Sequence, residues 1–294
     1  MPVKNFYAPT SLEEAAELLN SLHGESRPAA GCTDLMVQLA APNAPETSLV
    51  SLRRVPGLAD LREESDGSCF IGSLVRQSAV AQAPWIRRHF PALAKAAGLV
   101  GSPSIRNRAT IGGNICNASP SADTAPPLLA YDAEALIWGL DGERTMPLQE
   151  FFLGPGRSAL RRGEILKGLR LRRDSQKRAN FEKLGQRKAM EIAIVNACAS
   201  LCPGRDGTCF QVRIALGAVA PTPIRAPEAE AILEGKRIDY DLVMKAAAAA
   251  AAAVQPISDH RASAEYRRRM AGVLTARIIS GLGNLPCTGV ERWR

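Results

Sequence analysis

Leu12, Ala15, Ala16, Leu19 and Leu22 recur at helical spacing near the start of the chain. Ser11, with Glu14 three residues on, supplies a capping box for that helix, and Gly24 stops it. A short strand over residues 28–30 runs into a turn at residues 31–34. Thr33 or Asp34 then N-caps a second helix through Leu35, Met36 and Leu39, which Pro42 ends. With a strand over residues 49–52 this makes a small βαβ-type unit, its Gly31 turn lying where a strand meets a helix start. From Pro56 the elements shorten. Residues 69–71 read as strand, and residues 83–97 as helix in two pieces divided at Pro91. Residues 135–139 and 145–148 form a hairpin around Asp141-Gly142, and residues 164–171 a further strand. After a charge-rich linker over residues 172–179, apolar runs at 192–201 and 209–219 flank a turn-rich break and pair antiparallel. Two helices close the chain. One, over residues 241–254, contains eight consecutive alanines. The other, over residues 263–281, places Tyr266, Met270, Val273, Leu274 and Ile278 on one face with its arginines largely opposite. The fold class is α+β, in two subdomains followed by a C-terminal domain with a small antiparallel sheet and helices.

Composition narrows the function more by exclusion than by direction. At 294 residues the chain makes one to two domains with a sizeable core. The net charge of +8 is spread over scattered basic pairs without aromatic interleaving or zinc-finger spacing, so nucleic acid is not the expected partner. The alanine helix is too short and too weakly apolar to span a membrane. Seven cysteines, odd in number and irregularly spaced, together with an N-terminus lacking a signal-peptide core, point to free thiols in a reducing cytoplasm. Cys198, Cys202 and Cys209 lack a fourth spaced ligand, so no metal site is expected. His23, His89 and His260 stand in no ligand or nucleophile pattern. Gly154-Pro155-Gly156-Arg157-Ser158-Ala159 satisfies a dinucleotide-binding glycine pattern, but Pro155 and Gly163 leave no room for the helix that pattern opens.

The chemistry concentrates in residues 109–129. Gly112 and Gly113 follow the β-prone Thr110-Ile111 and precede Asn114. Such a pair reads as a turn with positive φ, whose successive amides make an anion-binding nest. Small polar residues (Asn117, Ser119, Ser121) and Asp123 follow, and Pro126-Pro127 argues against a helix interior. A pyrophosphate on backbone donors, with Asp123 placed for a sugar hydroxyl, fits this order.

This stretch resembles the second flavin-binding motif of the FAD subunit of molybdenum hydroxylases, the xanthine dehydrogenase and carbon monoxide dehydrogenase group. The resemblance spans nearly the whole chain. Arg27, Pro28, Ala29, Ala30, Gly31, Cys32, Thr33 and Asp34 resemble the family's first FAD loop. The run from Phe181 to Val195 resembles the opening of its C-terminal domain. Ile105-Arg106-Asn107, Gly154-Pro155-Gly156 and the segment from Ala220 to Arg225 resemble the bacterial xanthine dehydrogenase branch. The likeness implies an FAD-binding domain of PCMH type over residues 1–176, with subdomains of about 1–55 and 56–176, and a C-terminal domain over 177–294. It implies non-covalent FAD held by the first loop and by Thr110, Ile111, Gly112, Gly113, Asn114 and Asp123. Leu166 matches a position packing on the flavin, and Lys183 a lysine near it, where a cation would stabilise the anionic reduced ring. The family loop usually reads Ala-Gly-Gly-Thr. Cys32 replaces the second glycine here, so the expectation is that Cys32 keeps negative φ and leaves the left-handed turn to Gly31.

By the same resemblance the partners are a small iron–sulfur subunit and a large molybdopterin subunit, assembled as a dimer of heterotrimers. Electrons from the molybdopterin centre cross 2Fe–2S clusters to FAD and leave to NAD or another acceptor. No side chain of this chain is expected to act as a catalytic acid or base on the hydroxylated substrate. Alternatives are the FAD subunit of a hydroxylase for another N-heterocycle, an aldehyde or carbon monoxide, and a flavin-free docking subunit. A self-sufficient flavin oxidase would require turnover by this chain alone.

Overall fold

A computed structural model describes residues 2–22, 24–187 and 190–285. Of the positions read above, His23, residues 188–189 of the run from Phe181 to Val195, and residues 286–294 of the expected C-terminal domain lie outside that range.

The first unit alternates β1 (Val3–Tyr7), α1 (Leu12–Ser21), β2 (Ser26–Ala29), α2 (Leu35–Leu39) and β3 (Thr47–Ser51). Its strands form a parallel sheet in the order β1-β3-β2. Ser11 caps α1 by accepting from the Glu14 amide, while the Glu14 carboxylate reaches back to the Thr10 amide at 2.7 Å. The predicted cap thus forms with its return bond shifted by one residue. Ala15, Ala16 and Leu19 bury the inner face of α1 against Val50, Leu52 and Ile165.

The second unit contains β4 (Leu61–Glu63), β5 (Cys69–Gly72), α3 (Gln77–Gln82), α4 (Pro84–His89), α5 (Pro91–Gly98), α6 (Pro103–Arg106), α7 (Ile111–Cys116) and α8 (Ala125–Ala130). After these come β6 (Glu134–Gly139), β7 (Gly142–Pro147), the small hairpin β8 (Phe152–Gly154) and β9 (Arg157–Ser158), and β10 (Ile165–Leu171). Its main sheet is antiparallel, ordered β4-β5-β10-β6-β7. The helix break at Pro91 and the hairpin at Gly142 (φ 106°) lie where the sequence puts them.

Two local expectations need correction. Gly112 and Gly113 are not a left-handed turn: they occupy the first turn of α7, capped by the Thr110 hydroxyl, with φ outside the positive region. What demands glycine at 112 is proximity, since a Cβ there would sit 2.4 Å from the Ser73 Cβ. Pro126 and Pro127 likewise fall in the first turn of α8, where no intrahelical amide is needed, so they start a helix rather than prevent one.

The last unit is an antiparallel sheet of β11 (Arg178–Leu184), β12 (Val195–Pro203), β13 (Cys209–Gly217) and β14 (Ile224–Arg225), followed by α9 (Pro227–Leu233), α10 (Tyr240–Ala252) and α11 (Ala264–Leu282). The alanine run lets α10 and α11 pack closely, with Ala247 against Gly272. The arginines of α11 do not all face away from the core. Tyr266 is 41% exposed, whereas Arg267 is buried, donating to the Ile194 and Ala218 carbonyls and to Asp259. Its guanidinium supplies the donors that the ends of β12 and β13 lack. Phe181, Cys198 and Ala215 of this unit join the same apolar cluster as the second unit, and α8 rests on β12 and β13. Asp132 adds ion pairs across that seam to Arg213 and Arg225. No described helix is long and apolar enough to cross a membrane.

Candidate functional site

The three units meet around a cavity of about 630 Å³, within the range of cofactor sites. One wall is the loop between β2 and α2. Arg27, Pro28, Ala30, Gly31, Cys32, Thr33 and Asp34 all line it. Among the described residues the amides of residues 31–34 find no hydrogen-bond acceptor, whereas the Cys32 carbonyl is taken by the Met36 amide. A run of uncommitted N–H groups on a cavity wall is a ready site for an anion.

The conformation of this loop reverses the expectation for Cys32. Cys32 is itself left-handed, with φ 63°, and Gly31 is not. Gly31 is needed because a Cβ there would lie 2.2 Å from the Arg108 carbonyl oxygen. The Cys32 side chain packs beside Ala29, Leu35, Leu39 and Leu49, and burial pushes its thiol pKa up against the pull of Arg108 and Arg53.

The second wall runs from Thr110 to Asp123. Thr110, Gly112, Gly113, Asn114 and Asp123 line it, with Asn117, Ser119 and Ser121, while Leu166 closes the floor. Unlike those of the first loop, the amides of its glycine segment, residues 111–114, are already used. Ile111 donates to Val75, Gly112 to Ser73, and Gly113 and Asn114 to the hydroxyl and carbonyl of Thr110. The second motif therefore offers side chains rather than a backbone nest. Ala29 and Ile111 lie behind the wall, in the apolar core. Gln38 of α2 donates to Asn117 at 3.4 Å and joins the two loops.

Lys183 does not line the cavity. Its side chain is 2% exposed, and its ammonium donates to the Asp123 carboxylate (2.6 Å) and to the carbonyls of Leu99 and Glu191. Three protons thus meet three acceptors. Asn196 donates to the other Asp123 oxygen at 3.0 Å. Burial raises the Asp123 pKa, opposed by Lys183 and Asn196. This buried group ties the second loop to the C-terminal unit, whose residues 190–192 form the third wall.

Reading the sequence by motif missed Ser73, Val100, Glu164, Glu191 and Ile192, all on the wall. None carries a local signal: each sits in a connection between elements, Ser73 just after β5, Val100 after α5, Glu164 just before β10, and Glu191 and Ile192 between β11 and β12. Ile105 and Gly156 belong to the shorter family-like pieces, and both reach the cavity, Gly156 with φ 69°.

Residues 2–171 match the family described as the FAD binding domain in molybdopterin dehydrogenase, and residues 181–282 the CO dehydrogenase flavoprotein C-terminal domain. The chain belongs to the FAD-binding subunits of the molybdenum hydroxylases. It is 33% identical to a putative xanthine dehydrogenase FAD-binding subunit of Escherichia coli, over 94% of each chain. It is 32% identical to the carbon monoxide dehydrogenase medium chain of Hydrogenophaga pseudoflava, over 95% of this chain and 96% of that one. A solved structure of carbon monoxide dehydrogenase from that organism superposes with a TM-score of 0.91, at 33% identity over 95% of this chain and 96% of the other.

The cavity suits the FAD that this domain binds. Uncommitted amides on the first loop match a diphosphate. Among the described residues no cluster of His, Cys, Asp or Glu could hold a metal ion.

Proposed function

We propose that this chain is the FAD-carrying electron-transfer subunit of a xanthine dehydrogenase-like molybdenum hydroxylase. It takes electrons from 2Fe–2S clusters of a small partner subunit and gives them to NAD or another acceptor. FAD, when bound, exchanges electrons singly on one side and in pairs, as hydride, on the other. The protein's work is to hold the cofactor, shield one side of it and fix the walls. The free amides of residues 31–34 receive the diphosphate, while Thr110, Asn114 and the polar residues up to Asp123 line the opposite wall. Lys183 serves the site through Asp123 and the carbonyl of Glu191, holding the third wall in place. The division into an FAD-binding domain over 1–176 and a C-terminal domain over 177–294 follows the start of β11 at Arg178, and both domains build the cavity.

The single observation that carries this reading is the run of uncommitted amides in residues that line a cavity of cofactor size. Near-equal identity to relatives named for xanthine and for carbon monoxide supports a substrate chosen in the large molybdopterin subunit. The test is Gly31→Ala, whose Cβ must displace the first loop from the Arg108 carbonyl. Flavin retention should fall at least about tenfold, the factor for about 1.4 kcal/mol of lost contacts, with the circular dichroism unchanged. A folded variant with full flavin content overturns the assignment. The wild-type chain alone should accept electrons from NADH or an artificial donor yet oxidise no xanthine.

A further inference from the structure

We propose that the backbone amides of Gly101 and Ser102 form a donor pair for an oxygen of the bound cofactor, an inference that rests on the FAD reading above. Residues 99–102 connect α5 to α6, and Val100, Gly101 and Ser102 line the cavity, each half-buried. Two cations hold the carbonyls of this connection. Arg106 donates through one nitrogen to the carbonyls of Val100 (3.0 Å) and Gly101 (3.2 Å), and the Lys183 ammonium holds that of Leu99 at 3.2 Å. Neither Arg106 nor Lys183 lines the cavity.

The direction of the amides follows from those bonds. No peptide bond among the described residues is cis, and in a planar trans peptide the carbonyl and the next N–H point opposite ways. The Val100 and Gly101 carbonyls point to a guanidinium that is off the wall. The Gly101 and Ser102 amides are the other ends of the same two peptides, and they point away from it, toward the cavity. Among the described residues neither amide finds an acceptor, whereas the Val100 amide turns back to the Ala97 carbonyl. Gly101 permits the arrangement with φ 48°. The pair precedes α6 and owes nothing to it: Pro103 has no amide hydrogen, and the Ile105 amide is taken by the Ser102 hydroxyl. Two successive donors turned toward a cavity suit an anionic or carbonyl oxygen. FAD carries such oxygens on its ring and on its diphosphate.

The experiment is an FAD titration of the flavin-depleted full chain, followed by fluorescence quenching, for wild type, Ser102→Ala, Ser102→Pro and Arg106→Met. Circular dichroism of each flavin-free protein checks the fold. Alanine and proline both remove the Ser102 cap, but only proline removes the amide hydrogen, and the extended backbone there (ψ 168°) accepts it. Ser102→Pro should bind FAD about 3–10-fold more weakly than Ser102→Ala, the factor for one net hydrogen bond. Arg106→Met puts no new atom into the cavity yet frees both peptides to turn, and should weaken FAD at least about threefold relative to wild type. Either folded variant binding within about twofold of its reference overturns the proposal. If Ser102→Pro does not fold, Arg106→Met alone decides. Riboflavin and ADP titrations then locate the oxygen: a loss shared by riboflavin puts it on the ring, one shared by ADP on the diphosphate. A wild-type chain that takes up no FAD overturns the cofactor reading itself; a wild-type chain that binds, with the variants equal to their references, overturns only the donor pair.

Discussion

Replacing Cys32 first by alanine and then by glycine tests the geometry of the first loop with a clear sign. At φ 63° a Cβ crowds the following carbonyl, a cost of about 1–2 kcal/mol for a non-glycine residue. Glycine escapes that cost but gives the unfolded chain extra freedom, worth about 0.5–1 kcal/mol in the opposite direction. Relative to Cys32→Ala, Cys32→Gly should therefore gain about 0.5–1 kcal/mol of stability. The direct comparison with wild type is less informative. Cysteine also loses its half-buried packing beside Ala29, Leu35, Leu39 and Leu49, which offsets much of the gain. Urea denaturation of the flavin-free proteins, with equal slopes, isolates the alanine-to-glycine step.

If residue 32 adopted negative φ in solution, the sign would reverse, and glycine would be the less stable of the pair by about 0.5–1 kcal/mol. That result would refute the reasoning. FAD affinity supplies a second readout. The loop presents its amides in the left-handed conformation before the ligand arrives, so alanine and glycine should bind FAD within about threefold of one another.

Three further outcomes are expected elsewhere in the molecule. Lys183→Met should cost about 3–5 kcal/mol by leaving the Asp123 carboxylate buried without its cation, and Asp123→Asn added to it should recover part of that loss; thermal melts of the single and double variants check this. Gly112→Ala should destabilise more than Gly113→Ala, by about 1–3 kcal/mol, because its Cβ meets the backbone and Cβ of Ser73 whereas that of Gly113 meets only the Thr110 hydroxyl. The Asp259 carboxyl titrates at about 2: burial would raise it, but the Arg261 amide, the Arg267 guanidinium and the Ala262 amide outweigh this. Its folded-state pKa is depressed, so its contribution is present above the ordinary value and lost as pH falls from about 4 to about 2. The stability gap between wild type and Asp259→Asn should close over that window in urea titrations.

Much of the framework is legible in the residues alone. The capped helix at Ser11, the break at Pro91, the hairpin at Gly142 and the antiparallel run after Pro203 all depend on local chemistry, and local chemistry is written in order along the chain. What the order does not contain is the surroundings. Gly31, Gly112 and Gly113 read as residues chosen for unusual φ, yet none of them uses it. Gly31 and Gly112 exist to let the Arg108 carbonyl and Ser73 come close. The left-handed residue is instead Cys32, which no propensity would select. Arg267 reads as an outward arginine and is buried, because the carbonyls that need it are those of Ile194, just before β12, and Ala218, far away in sequence.

The same distinction separates the work of the two loops. Both contain glycine beside small polar residues, so both suggest a backbone cradle for phosphate. The two differ in how many amides they leave free for it. Every amide from Ile111 to Asn114 is spent on holding the second loop to residues 73–75 and to Thr110, whereas those of residues 31–34 are unspent. A segment whose amides are spent has side chains to offer rather than a backbone nest, and the second wall is correspondingly rich in hydroxyls and carboxamides. The departure at Cys32 is consistent with this division. A donor loop needs its backbone in one shape and is indifferent to the side chain, provided that side chain points away, and the Cys32 thiol packs into the small core beneath β2. Substitutions in the first loop should therefore act on flavin through φ and through loop position, and those on the second wall through the chemistry of the side chain removed.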